Sequence, residues 1–178
     1  CKAVRTSLAE LNELVVKRWE SDEGFRGMGA TVVTGLVIDG KLYEGNAGDS
    51  AMFLMKGEKL SLISKEHSFT HELFEKGRIK LHEKFNHPYH GVITQHAGME
   101  KGFKPYIKKF KLEYGDRVLL CSDGLTDMVG EDTIKQILKD ESGCEGACKR
   151  LYEMAMNAGG LDNITILILD RDKSKRDK

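Results

Sequence analysis

Three aspartates stand where apolar stretches of this sequence give way to small, turn-forming residues: Asp49, Asp123 and Asp162. Asp49 follows Gly48, and Asp123 is followed by Gly124. Carboxylates held at the ends of strands provide the oxygen ligands that hard divalent cations prefer. The pattern predicts a metal site at one end of a β-rich core, although spacing alone does not bring the three residues together.

Each of these aspartates also has an ordinary structural interpretation. Asp123 either delivers a carboxylate from the end of a strand or forms a simple Asp-Gly turn, since aspartate and glycine are both common in turns. Asp49 could be a turn residue between strands, and Asp162 a helix cap or loop residue. Asp127 lies four residues after Asp123 and would share its face in a helix, either as an additional ligand or as an acidic residue near a helix N-terminus.

The bulk properties exclude several classes of protein. The chain has 178 residues, enough for one domain with a hydrophobic core, and its 28 basic and 28 acidic residues give no net charge. This balance argues against general binding to nucleic acid or to an anionic membrane, and no apolar run approaches the roughly 20 residues needed to span a bilayer. The four cysteines lack a second pair spaced for zinc, so we expect reduced thiols in a cytoplasmic protein.

The elements that must position the aspartates are readable from hydrophobic periodicity. Apolar residues three or four apart predict a helix over residues 3–19. Alternating β-type runs then predict an antiparallel meander over residues 31–64, with Asp39-Gly40 as a hairpin turn. Further strands are predicted at 92–94, 106–112, 117–122 and 164–169, helices at 131–139 and 145–157, and a charged tail, either disordered or a linker, at 171–178.

Residues 65–91 form an excursion of different composition. They contain many charges and five histidines, which are His67, His71, His82, His87 and His90. The ligand spacing of a zinc site is absent, so we expect surface histidines on one or two mobile helices. His67, within Glu66-His67-Ser68, is the one closest to a recognisable motif.

Five short motifs follow one another along the chain: Gly27-Met28-Gly29-Ala30-Thr31, Asn46-Ala47-Gly48-Asp49-Ser50, Glu66-His67-Ser68, Ser122-Asp123-Gly124-Leu125-Thr126-Asp127 and Asp162-Asn163-Ile164-Thr165. In this order and spacing they resemble the motifs of the metal-dependent protein serine/threonine phosphatases, the type 2C or PPM family, in particular its bacterial branch. The resemblance extends over residues 1–170.

The resemblance implies an α+β fold, a four-layer α-β-β-α sandwich of two antiparallel sheets flanked by helices. It implies two or more Mn²⁺ or Mg²⁺ ions, with Asp123 and Asp162 as core ligands and Asp49 with Asp127 holding a further ion. These ions would activate a water for in-line attack on phosphoserine or phosphothreonine in proteins. It also implies phosphorylated protein partners, including a cognate serine/threonine kinase, in a monomeric protein, and it makes residues 65–91 a flap beside the site.

The sequence departs from the family pattern in ways that set further expectations. Residues 1–170 look like the later part of a phosphatase domain, without the family's earlier Asp-Gly motif and phosphate-binding arginine. Asp39-Gly40 is in the wrong place to replace that motif, and Gln95-His96-Ala97-Gly98 stands where Arg-Ala-Leu-Gly is often found. We therefore expect an incomplete active site in these residues alone, with weak manganese binding and little turnover. The alternatives are a non-catalytic, partner-binding relative and a β-rich binding module in which the aspartates are structural turns.

Overall fold

The computed structural model describes residues 1–84 and 86–172. The chain opens with helix α1 (Lys2–Ser21), which packs on the sheet at Gly45. A Cβ added to Gly45 would lie 2.6 Å from the side chain of Val4 and 2.9 Å from that of Leu8, so the glycine permits this close approach. Val4 and Leu8 are buried whereas Leu11 is exposed, so the predicted apolar face of α1 is buried mainly at its N-terminal half.

The strands form two antiparallel sheets. The first sheet has the order β1-β2-β5 and contains β1 (Val32–Ile38), β2 (Lys41–Ala47) and β5 (Tyr106–Lys111). The second sheet has the order β4-β3-β6-β7 and contains β3 (Ala51–Lys56), β4 (Lys59–Leu62), β6 (Arg117–Cys121) and β7 (Ile166–Asp170).

The remaining helices are α2 (Phe69–Glu75), α3 (Asp123–Thr126), α4 (Glu131–Asp140) and α5 (Cys144–Asn157), with short 3-10 helices at Glu23–Phe25 and Leu81–Glu83. Two apolar clusters hold these layers together. One lies between the sheets and is built around Leu42, Met52 and Val118, all buried. The other lies between the second sheet and helices α4 and α5, where Leu119, Ile134 and Leu151 are buried. With α1 on the first sheet, the layers confirm the predicted α-β-β-α sandwich.

The predicted hairpin at Asp39-Gly40 is confirmed, but the single meander is wrong. Asp39 and Gly40 have positive φ values of 48° and 68°, as a tight two-residue hairpin turn requires. The β1–β2 hairpin and the β3–β4 hairpin lie in different sheets, because the chain crosses from one sheet to the other through residues 48–50. Periodicity identifies strands but does not say which of them pair.

The strand predicted at 92–94 is also wrong. Ile93 makes only an isolated bridge to Ser68, and the Thr94 N–H donates to the His67 carbonyl at 2.8 Å, so this segment fastens the end of the excursion instead of extending a sheet.

At the other end of the chain, Arg171 belongs to the fold, since its N–H donates to the Asp116 carbonyl and its guanidinium contacts the Leu112 carbonyl. Residues 173–178 of the predicted tail lie outside the described residues. Among the described helices, none combines the length and apolar character that crossing a membrane would require.

Candidate metal centre

The register of the second sheet brings the ends of three neighbouring strands to one edge of the sandwich. Ala51 at the start of β3 pairs with Cys121 at the end of β6, and Cys121 pairs with Ile166 at the start of β7. Asp49 lies two residues before β3, and Asp123 lies two residues after β6. The loop containing Asp162 leads into β7. Antiparallel pairing therefore places all three aspartates at the same end of the sheet, which spacing in the sequence could not show.

Asp123 and Asp127 are held by the short helix α3. The Asp127 N–H donates to the Asp123 carbonyl at 2.8 Å, which places the two residues one helical turn apart as predicted. The Asp123 carboxylate accepts a hydrogen bond of 2.9 Å from the Gly124 N–H. A Cβ at position 124 would lie 2.4 Å from the Asn163 carbonyl oxygen, so glycine is required where α3 meets the loop that carries Asp162.

That loop is fastened to the end of β6 through one hydroxyl group. The Ser122 hydroxyl donates to the Asn163 carbonyl at 3.0 Å and accepts from the Thr165 N–H at 3.0 Å. The Ser122 N–H also donates to the Thr165 carbonyl at 3.1 Å. These bonds fix the loop relative to Asp123, while the exposed Asp162 carboxylate accepts from the neighbouring Asn163 N–H at 2.6 Å.

Asp49 lies in the crossover between the sheets, and residues 65–68 hold that crossover in place. The Asn46 amide donates to the Lys65 carbonyl at 2.6 Å and its oxygen accepts from the Lys65 N–H at 3.1 Å. His67 is buried. Its ring Nδ1 accepts a hydrogen bond from the Gly48 backbone N–H at 3.2 Å, and its backbone N–H donates to the Gly48 carbonyl at 2.9 Å. The expectation of a surface histidine is therefore wrong for His67, which is a neutral acceptor within the fold.

The carboxylates of the site repel one another. Burial, followed by the negative charge of Asp123, raises the pKa of Asp49 to about 6. Partial desolvation also raises the pKa of Asp127 above its ordinary value; the charges of Asp123, Glu66 and Asp162 act in the same direction, against the opposing effect of His90. The site thus concentrates more negative charge than its own side chains neutralise, and a bound cation would relieve this repulsion.

Asp49, Asp123 and Asp127 line a cavity of 430 Å³ between the second sheet, α4 and the 65–91 excursion. Glu66 lines the same cavity, although in the sequence it stands out only as part of a motif. Burial disfavours its charged form, but hydrogen bonds from Lys84 at 2.7 Å and Ser68 at 2.5 Å hold the pKa of Glu66 below its ordinary value. The only sequence signal that could have identified Glu66 was its carboxylate next to His67 in the Glu66-His67-Ser68 motif.

The four predicted ligands are gathered at one end of the fold, but they do not form a closed coordination sphere. Asp162 is not among the residues that line the cavity. Across residues 1–84 and 86–172, no three His, Cys, Asp or Glu side chains come close enough together to hold one ion. The donor set of carboxylate oxygens and the mutual repulsion at Asp49 nevertheless fit Mn²⁺ or Mg²⁺ in chemical type.

The sequence resembles curated bacterial enzymes over most of its length. It is 31% identical over 173 residues to the serine/threonine phosphatase stp of Listeria monocytogenes, which covers 97% of this chain and 69% of that protein. It is 33% identical over 164 residues to protein phosphatase PhpP of Streptococcus pneumoniae, which covers 92% of this chain and 67% of the relative. No family model matches the sequence.

The fold resembles solved structures of similar enzymes. One of them is the catalytic domain of the serine threonine protein phosphatase PstP in complex with two manganese ions, with a TM-score of 0.83 and 30% sequence identity. The match covers 91% of this chain and 67% of that structure. Sequence and fold thus lead to the same group of proteins.

Proposed function

Because this chain belongs to the PPM family of metal-dependent protein serine/threonine phosphatases, we propose that Asp49, Asp123, Asp127 and Asp162 are its metal ligands. The chain is a phosphatase that hydrolyses phosphoserine and phosphothreonine in proteins. The observation that carries the assignment of the ligands is the register of β3, β6 and β7, which brings the segments bearing Asp49, Asp123 and Asp162 to one edge of the second sheet.

In this proposal each carboxylate has a defined task. Asp123 and Asp162 hold the core ions, and Asp49 with Asp127 holds a further one. When bound, Mn²⁺ or Mg²⁺ supplies an activated water as the nucleophile and neutralises charge on the phosphoryl group. The chain itself contributes position, because the Ser122 hydroxyl fixes the 163–165 loop against the turn at Asp123. Lys84 neutralises Glu66 at 2.7 Å and so limits the negative charge that an anionic phosphate meets on entering the cavity.

We further propose the finer features of this activity. Two or more ions bind, with Mn²⁺ or Mg²⁺ as the physiological metal, and the PstP structure with two manganese ions supports this number. Residues 1–170 belong to one catalytic domain in a monomeric protein. The substrates are proteins phosphorylated by a cognate serine/threonine kinase, within a signalling pathway. Free thiols at Cys121, Cys144 and Cys148 support a reducing, cytoplasmic location.

The experiment is a calorimetric Mn²⁺ titration combined with metal-dependent hydrolysis of p-nitrophenyl phosphate. Asp123→Ala should weaken Mn²⁺ binding at least tenfold and abolish hydrolysis, because it removes a core ligand. Asp132→Ala, an exposed aspartate in the first turn of α4, is the matched control and should bind Mn²⁺ like the wild type. Unchanged Mn²⁺ affinity in Asp123→Ala would refute the ligand assignment.

A non-catalytic, partner-binding phosphatase relative is the second candidate. It is favoured by one observation, namely that no three potential ligands among the described residues approach closely enough to bind one ion. This candidate predicts no hydrolysis at any Mn²⁺ concentration, whereas the catalytic proposal predicts hydrolysis that is slow, as an incomplete active site requires, but rises and saturates with Mn²⁺. The same titration therefore separates the two candidates.

A further inference from the structure

The cavity beside the carboxylates has two chemically different parts. One part carries Asp49, Asp123 and Asp127. The other has an apolar floor of buried side chains from β3 and from the segment that leads into and forms α4, namely Phe53, Val129 and Ile134. A binding pocket with an apolar lining and a few polar groups at one end is the usual arrangement for a ligand that is itself part polar and part apolar.

Two exposed leucines from different segments also line the cavity. Leu62 ends β4 on the sandwich and is 45% exposed, whereas Leu81 begins the 3-10 helix of the excursion and is 58% exposed. Leucines with so much accessible surface gain little from the fold itself. They offer apolar area that a ligand side chain could cover, with favourable transfer of that area out of water.

We propose that this apolar part is a subsite for a bulky aliphatic or aromatic side chain next to the phosphorylated residue of a protein substrate. The inference rests on the proposed function, since it places the phosphate at the carboxylate end of the same cavity. The occupant is a phosphopeptide, because the apolar part is continuous with the end that would receive the phosphate.

The size and charge of the cavity limit where this side chain lies and what it is. A volume of 430 Å³ corresponds to about 9 Å across for a sphere, and an extended peptide advances about 3.3–3.6 Å per residue. The side chain therefore belongs to a residue within three positions of the phosphoserine. An acidic residue is disfavoured there, because Asp127, Glu66 and Glu131 line the same cavity and Lys84 is already paired with Glu66.

The test uses fluorescently labelled phosphoserine peptides that are identical except for Leu, Ala or Asp at each position from −3 to +3. Fluorescence anisotropy measures their dissociation constants with and without Mn²⁺, because apolar contact does not require the ion. At one position we expect the Leu peptide to bind about tenfold more tightly than the Ala peptide and more tightly still than the Asp peptide. Equal binding of all three peptides at every position, in both conditions, overturns the subsite.

Leu62→Ser and Leu81→Ser should each reduce the preference for Leu to threefold or less. Both side chains are exposed, so these changes leave the core intact. Leu14→Ser, on α1 and 65% exposed, is the matched control and should retain the full preference. A preference that survives in both cavity variants also refutes the proposal. Manganese binding and p-nitrophenyl phosphate hydrolysis test the phosphatase assignment separately, because neither depends on a peptide side chain.

Discussion

Replacing Asp49 with asparagine should make the metal-free protein more stable while it weakens metal binding. Burial and the nearby charge of Asp123 raise the pKa of Asp49 from 3.8 to about 6, so the ionised carboxylate is unfavourable in the native state. Asparagine keeps the shape of the side chain and removes the charge. A site shaped for a cation is expected to destabilise the protein when the cation is absent.

The magnitude follows from the linkage between protonation and folding. A pKa raised from 3.8 to about 6 corresponds to about 3 kcal/mol at about 1.36 kcal/mol per pKa unit, and solvent screening at this partly exposed carboxylate reduces that to about 1–2 kcal/mol. The native state holds the proton more tightly than the unfolded chain does. The contribution of Asp49 to stability is therefore present below pH 4, is lost as the pH rises to 6, and stays lost above that.

Urea denaturation of wild type and Asp49→Asn in the presence of a chelator measures this difference. The variant should be more stable by about 1–2 kcal/mol at pH 7 and equal to the wild type near pH 4. Added Mn²⁺ at a hundred times its dissociation constant should stabilise the wild type by about 2.7 kcal/mol and the variant by much less. A variant that is less stable than the wild type at pH 7 without metal would show that the ionised Asp49 carboxylate is not unfavourable in the native state.

Two further substitutions test other parts of the structure. Glu44→Gln should stabilise the protein by about 3–4 kcal/mol at pH 8 and little at pH 4.5, because burial raises the pKa of Glu44 to about 8 against the opposing effects of the Lys108 backbone and charge. Urea denaturation at both pH values checks this, and a wild-type stability that does not fall over this range would contradict it. Gly124→Ala should lower the stability by about 1–3 kcal/mol and the Mn²⁺ affinity at least tenfold, because its Cβ would overlap the Asn163 carbonyl. Gly143→Ala, with open space around its Cβ, is the control and should change neither. Thermal denaturation and calorimetry measure the two effects, and equal behaviour of the two alanine variants would contradict the role of this contact.

Much of the architecture follows from local patterns in the sequence. The helices α4 and α5 and the strands β5 and β6 lie within one residue of their predicted bounds, because apolar periodicity and the turn residues between them are local signals. The pairing of strands, in contrast, could not be predicted from local signals in the sequence. The change of sheet at residues 48–50 and the failure of 92–94 to form a strand depend on contacts with distant segments, which no short window of sequence contains.

The candidate site, too, could be predicted only in part from the sequence. Asp49, Asp123, Asp127 and Asp162 could be named from residue type and motif order, but only strand register shows that the segments that carry Asp49, Asp123 and Asp162 share one end of a sheet. Burial of His67 was missed because the charged residues around it suggested solvent. Its acceptor role depends on the Gly48 N–H, 19 residues away.

The crossover at residues 48–50 has a mechanical consequence. Asp49 belongs to the short link between the two sheets, whereas Asp123 extends from a strand within the second sheet. An ion held by Asp49 and by Asp127, which lies one helical turn after Asp123, would connect this link to the second sheet, so that separating the sheets at this end would require releasing the ion. Amide hydrogen exchange at the ends of β2, β3 and β6 should then slow together when metal binds, as one cooperative unit, while exchange at the far hairpin turn of Asp39-Gly40 stays unchanged.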